Sequence, residues 1–242
     1  MTPTQPEKNS IARLIDHALL HPTLTDAEIC EGVRLAKELG AASVCVKPYA
    51  VKMAAELLAG SQTAVGTVIG FPHGSATSEI KAAEAEQACR DGATELDMVI
   101  NIGKALQGDW DYVARDIQAV VNVGKTHNAL VKVIFETDYV SDAEKKIKLC
   151  EISEKAGAAF VKTSTGFGFN KQPNGDYNYV GATLADIRLM RAHCSEHVGV
   201  KASGGIRNYE DAIQFKNYGA SRLGTSATKV IVEGAGSDDA SY

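Results

Sequence analysis

Long apolar runs are missing from this chain. No stretch approaches the ~18 consecutive apolar residues that read as a membrane-spanning helix, so no membrane partner is expected. Runs of positive charge are missing too. Lys and Arg number 25 against 30 Asp and Glu, for a net charge of −5. That balance lacks the extended basic footprint that nucleic acid requires, so any anion must be bound locally. Paired cysteines are absent. Cys30, Cys45, Cys89, Cys150 and Cys194 are odd in number and widely spaced, with no C-x-x-C pair. Reduced thiols in a cytoplasmic protein fit this better than a disulfide framework. The first ten residues are polar and carry no apolar h-region, so no secretory signal is expected. The six histidines form no H-x-H or H-E-x-x-H cluster, and neither a metal nor another cofactor is expected. Gly166-x-Gly168 lacks the rest of a dinucleotide fingerprint and the helix that should follow it.

What the sequence does contain is alternation. Short β-rich runs fall near Asp16–Leu20, Ala42–Val46, Ala64–Gly70, Glu95–Asn101, Leu130–Glu136, Ala159–Ser164, Val198–Ser203 and Ser221–Ser226. Helical patterns separate them. Thr25-Asp-Ala-Glu28 is a capping box, and Ile29, Val33 and Ala36 follow at helical spacing. Ser141-Asp-Ala-Glu144 opens another helix, with Ile147 and Cys150 on its inner face; a third starts near Ser78. Strict alternation of apolar strands and helices means a parallel sheet covered by helices. Eight units in 242 residues predict the α/β class and one (β/α)8 TIM barrel over residues 1–242. A polar N-terminal tail (1–10) and a mobile Gly-, Ser- and Asp-rich tail (234–242) flank it. A long polar loop, Gly166 to Gly181, follows the sixth strand and carries an Asn174-Gly175 turn.

Gly-Ala recurs before the second, fourth, sixth and eighth strands, at Gly40, Gly92, Gly157 and Gly219. Each glycine supplies a left-handed helix stop. Five residues after each stand Cys45, Asp97, Lys162 and Gly224. Alternate strands of a barrel contribute one interior layer. The repeat therefore predicts that these four positions share a layer, with an acid and a lysine facing inward together.

Two lysines sit inside apolar strands: Lys162 in Phe160-Val-Lys-Thr-Ser164, and Lys201 in Val198-Gly-Val-Lys-Ala-Ser203. Burying an ammonium is costly unless it is paired or its pKa falls. A structural ion pair with Asp97 is one reading. The other is imine chemistry. A lysine must be neutral to attack a carbonyl, yet a free one titrates near ~10.4. Burial and a second cation both lower that value, and forming and breaking a carbinolamine needs an acid/base such as Asp97.

Asp16-His17 with Leu19-Leu20, Glu95-Leu-Asp-Met-Val-Ile-Asn101, Val161-Lys-Thr-Ser-Thr-Gly166 and Val200-Lys-Ala-Ser-Gly-Gly-Ile206 resemble, in order, the signature segments of the deoxyribose-phosphate aldolase family. The resemblance implies a metal-free, class I lyase that reversibly cleaves 2-deoxy-D-ribose 5-phosphate to acetaldehyde and D-glyceraldehyde 3-phosphate. It implies Lys162 as the Schiff-base lysine, Lys201 and Asp97 as the proton relay, Asp16 near the substrate hydroxyls, and the terminal Tyr242 as an aid to proton transfer. The chain departs from the family at Ala18, where a threonine is common, and at Phe167, where some members carry a lysine.

A phosphate site is expected where Ser203-Gly204-Gly205 and Gly224-Thr225-Ser226 end the last two strands, since glycines let backbone N–H groups approach the oxygens. Thr165 and Gly166 complete the expected substrate contacts. The partners are thus small phosphosugars and aldehydes, with a homo-oligomer open. Two rivals stand beside this reading: a Schiff-base aldolase or transaldolase with another phosphosugar donor, and a non-catalytic sugar-phosphate-binding barrel. Binding alone would need no neutral amine.

Overall fold

Eight of the apolar runs become parallel strands that hydrogen-bond side by side until the last meets the first. In the computed structural model, which describes residues 3–234, they are β1 (Ile15–Leu19), β2 (Ser43–Val46), β3 (Ala64–Ile69), β4 (Glu95–Val99), β5 (Leu130–Ile134), β6 (Phe160–Lys162), β9 (Gly199–Ser203) and β10 (Arg222–Thr225). Two further short strands, β7 (Asn170–Lys171) and β8 (Tyr177–Asn178), pair antiparallel outside the barrel. The barrel closes in the order β1-β10-β9-β6-β5-β4-β3-β2. This is the expected (β/α)8 barrel, and every expected strand overlaps an observed one.

The helices are α1 (Gln5–Ala12), α2 (Asp26–Leu39), α3 (Val51–Leu57), α4 (Ser78–Arg90), α5 (Ile102–Gln107), α6 (Trp110–His127), α7 (Ala143–Ala156), α8 (Leu184–Ala192), α9 (Tyr209–Asn217) and α10 (Thr228–Glu233). Ile29, Val33 and Ala36 of α2 are buried against the sheet, and Thr25 and Glu28 form the reciprocal cap. The cap of α7 is Asp142 rather than Ser141: its carboxylate accepts from Lys145 N–H at 3.0 Å. On α7 the buried stripe is Lys146, Leu149 and Cys150, and Ile147 is only half-buried. The residues read as an N-terminal tail instead enter α1 at Gln5. Thr4 and Glu7 cap that helix reciprocally, Ile11 and Ala12 are buried, and α1 packs on α10. The polar start hid it because only its last turn is apolar. Gly234, with φ +68°, ends α10. The rest of the expected C-terminal tail lies outside the described residues.

The loop from Gly166 to Gly181 holds the β7–β8 hairpin, turned at Gly175 with φ +93°. Both of its roots are tied to the segment after β5. Asp138 accepts from Val180 N–H (2.6 Å) and Gly181 N–H (3.0 Å), and its carbonyl accepts from Asn170 Nδ2 (2.7 Å).

Candidate active site

Residues paired across parallel strands point to the same face of a sheet. The register runs Asp16↔Gly224, Ala18↔Cys45, Val68↔Asp97, Asp97↔Lys132, Ile134↔Lys162 and Lys162↔Lys201. Cys45, Asp97, Lys162 and Gly224 therefore line the interior of alternate strands, as the repeat predicted. The four glycines before them have positive φ, from +71° to +111°. Asp16, Lys132 and Lys201 stand on the other strands, between those positions and the opposite barrel end.

These side chains form one ionic cluster. Asp97 Oδ2 accepts from Lys162 Nζ (2.7 Å) and Lys201 Nζ (2.6 Å). Asp97 Oδ1 lies 2.9 Å from Lys132 Nζ but off its hydrogen-bonding direction, so charge alone holds it. Lys132 also donates to Asp16 (2.8 Å) and Glu95 (2.6 Å). Arg222 bonds Asp16 and Glu95 and lies over the Phe160 ring. Asp16 is fully buried, and its oxygens are taken by Ser43, Arg222, Lys132 and Lys201. Its carboxylate is thus shared among four protein donors.

Four bases, Lys132, Lys162, Lys201 and Arg222, thus face three acids, Asp16, Glu95 and Asp97. The charges balance only if one base is neutral. Lys162 is the base with the weakest hold on its proton. Burial lowers its pKa and Lys201 adds to this, against the pull of Asp97. For Lys201 and Lys132 burial acts the same way, but Asp16 and Asp97 outweigh it and raise both. Burial opposes ionisation of Asp97 as well, yet Lys132, Lys162 and Lys201 hold its carboxyl below the usual range. Burial keeps His17 neutral down to about 4, and pushes the Cys45 thiol up to about 11, so neither titrates near neutrality.

Lys132, Glu95 and Arg222 were not singled out from the sequence. Lys132 carried the same signal as Lys162, a lysine in the apolar strand Leu130-Val-Lys-Val-Ile134. It has three carboxylate partners and is fully buried. Lys132→Met should cost about 3–5 kcal/mol of stability, because it strands buried carboxylates without their cation. Urea unfolding checks this. A loss below about 1 kcal/mol would mean the cluster reorganises without it.

Above the cluster opens a cavity of about 660 Å³. Asp16, Lys162, Thr165, Gly166, Lys201, Gly204, Gly205, Gly224 and Ser226 all line it, whereas Asp97 lies beneath the lysines. Gly204 (φ +87°) and Gly205 (φ +81°) use conformations a side chain would resist, and leave backbone exposed to a ligand. Gly224 clears space for Lys201, whose Cε would lie 3.0 Å from a Cβ placed there. Phe167, Tyr179, Arg207 and Lys229 stand around the cavity. Tyr242 lies outside the described residues. Among those residues, no three His, Cys, Asp or Glu side chains are grouped to hold a metal ion, and no helix is long and apolar enough to cross a membrane.

Residues 10–228 match the sequence model of a family described as DeoC/LacD family aldolase. The deoxyribose-phosphate aldolase of Caldanaerobacter subterraneus subsp. tengcongensis is 51% identical over 225 residues, covering 93% of each chain. That of Thermococcus gammatolerans is 49% identical over 93% of this chain and 96% of its own. Among solved structures, a putative deoxyribose-phosphate aldolase from Coccidioides immitis superposes with a TM-score of 0.86 at 40% identity, covering 96% of this chain and 87% of that one. The tetrameric deoxyribose phosphate aldolase from Aeropyrum pernix gives 0.84 at 30% identity, covering 94% and 92%.

Proposed function

Because this chain belongs to the DeoC/LacD family of aldolases, we propose that its barrel cleaves 2-deoxy-D-ribose 5-phosphate reversibly to acetaldehyde and D-glyceraldehyde 3-phosphate, with Lys162 as the Schiff-base nucleophile. The observation that carries the residue assignment is the charge imbalance of the buried cluster. It favours loss of one proton, and Lys162, the amine whose pKa burial lowers, lines the cavity.

Lys162 Nζ attacks C1 of the open-chain sugar, and the carbinolamine loses water to give an iminium. The C2–C3 bond then breaks as the C3 hydroxyl gives up its proton. Its electron pair passes to the iminium, which becomes an enamine, and C3 leaves as the aldehyde of glyceraldehyde 3-phosphate. Protonation at C2 and hydrolysis release acetaldehyde and restore the amine. Lys201 and Asp97 share one hydrogen-bonded path with Lys162, with Asp97 Oδ2 between the two amines. They are the relay for these proton transfers. Asp16 bonds Lys201 and lines the cavity, where it stands near the substrate hydroxyls. Thr165, Gly166, Gly204, Gly205, Gly224 and Ser226 receive the sugar phosphate, and Tyr242 remains a candidate for protonating the enamine carbon. All five cysteines are free thiols, which suits a cytoplasmic setting. Assembly into a homo-oligomer is part of the same proposal.

Coupled assay of glyceraldehyde 3-phosphate and acetaldehyde tests this directly. Both products should form from deoxyribose 5-phosphate at unchanged rate after exhaustive chelation, since the iminium does the work of a Lewis acid. Loss of rate that zinc restores would overturn the class. Cleavage of another phosphosugar in preference would favour the rival donor, and substrate binding without turnover would favour a binding barrel.

A further inference from the structure

Glu136 is a buried acid that the reaction sequence leaves unused. It follows β5, is 1% exposed, and adopts a left-handed backbone, φ +55°. A residue with a Cβ takes that conformation only where its surroundings enforce it. Its carboxyl accepts from Thr165 N–H (3.3 Å) and from the Thr165 hydroxyl. Thr165 Oγ1 in turn accepts from Phe167 N–H at 2.9 Å. A Cβ on Gly168 would lie 2.9 Å from the Glu136 carboxyl carbon, so the turn closes tightly over it. Among the described residues, no lysine, arginine or histidine forms an ion pair with Glu136. Lys162 acts on it from a distance, while Asp138 and Tyr139 are the charged and titratable neighbours on its own loop.

Thr165 lines the cavity and has a single hydroxyl proton. An ionised Glu136 can only accept, so it claims that proton. A protonated Glu136 can donate to Thr165 Oγ1 instead, which leaves the hydroxyl proton free to turn toward the cavity. We propose that Glu136 is a positioning residue of the anion subsite, deciding whether the Thr165 hydroxyl is tied back into the protein or offered to the substrate's phosphate with no negative charge behind it. The inference rests on the phosphate reading above. Burial first, and Asp138 after it, push the Glu136 carboxyl up to about 7, against its bonds to Thr165 and the charge of Lys162. The exchange therefore falls in the neutral range.

The test is the pH dependence of KM. Between pH 6.5 and 8.5, KM for deoxyribose 5-phosphate should rise roughly tenfold in the wild type as a carboxylate forms near the phosphate. The phosphate's own second ionisation, near pH 6, favours binding as pH rises and so cannot produce this trend. KM for unphosphorylated deoxyribose should stay flat. In Glu136→Gln the rise should vanish, whatever happens to kcat. A wild-type KM that does not rise, or a rise that survives in Glu136→Gln, would overturn the proposal. Should that variant not fold, wild-type calorimetry with sulfate near pH 7.5, in buffers of different ionisation heat, decides. Sulfate does not titrate there, so its binding should draw protons onto the enzyme, and zero uptake would refute the coupling. Absence of aldolase turnover would instead refute the function on which this inference rests.

Discussion

Borohydride added together with acetaldehyde should inactivate the enzyme and leave one ethyl group on Lys162. Only an imine is reduced in this way, and only a neutral amine forms one. Three buried lysines compete for the assignment, and their surroundings separate them. Lys132 is locked among Asp16, Glu95 and Asp97, and Lys201 between Asp16 and Asp97. Lys162 has one carboxylate partner and lines the cavity. Lys162→Ala should lower kcat/KM on the order of 10⁶-fold, the scale on which loss of a covalent nucleophile is felt. Peptide mapping that places the adduct on Lys201 would reverse the roles of the two.

Lys201→Leu should cost roughly a hundred- to a thousandfold in rate at pH 7, and part of that loss should return as the pH is raised. Each pKa unit by which Lys162 climbs removes about tenfold of its neutral form at pH 7. The sign follows from the cluster. Removing Lys201 takes away a cation that repels a proton on Lys162 and leaves Asp97 with fewer cations to satisfy, so Lys162 holds its proton more firmly. Alkali then restores the amine. Burial, however, is the first cause of the lowered Lys162 pKa, ahead of the charge of Lys201. Leucine preserves that burial, which limits the climb. Lys201 also shares Asp97 Oδ2 with Lys162, and no change of pH replaces a missing relay. The fraction recovered between pH 7 and 9.5 measures the electrostatic share. A flat profile would assign the whole defect to proton transfer.

Much of this site can be read from composition and spacing, because barrel geometry is periodic. A Gly-Ala helix stop sets where a strand begins, and five residues later the side chain faces inward, so Asp97 and Lys162 are brought together by counting alone. Lys201 was recognised as a lysine in an apolar strand. Lys132 carried the same signature, yet counting did not connect it, because its strand lacks the Gly-Ala start that made the others comparable. The buried pairs Lys81–Asp116 and Lys146–Asp186, which join neighbouring helices, left no local trace. On a helix a charged residue normally faces water, and only the packing of the next helix shows that it does not.

Strand and helix alternation, the closed barrel and an acid facing a buried lysine were legible in the residues alone. Each depends on short-range rules: the two-residue repeat of a strand, the 3.6-residue repeat of a helix and the left-handed stop of glycine. The folded chain alone reveals which base has its pKa lowered, that the Asp16 carboxylate is shared among Ser43, Lys132, Lys201 and Arg222, and that Glu136 bonds Thr165. These depend on charges brought together from as many as 206 residues apart, as Arg222 and Asp16 are. In a low-dielectric interior their interactions are strong and mutual, so the protonation of any one is fixed by all the others at once.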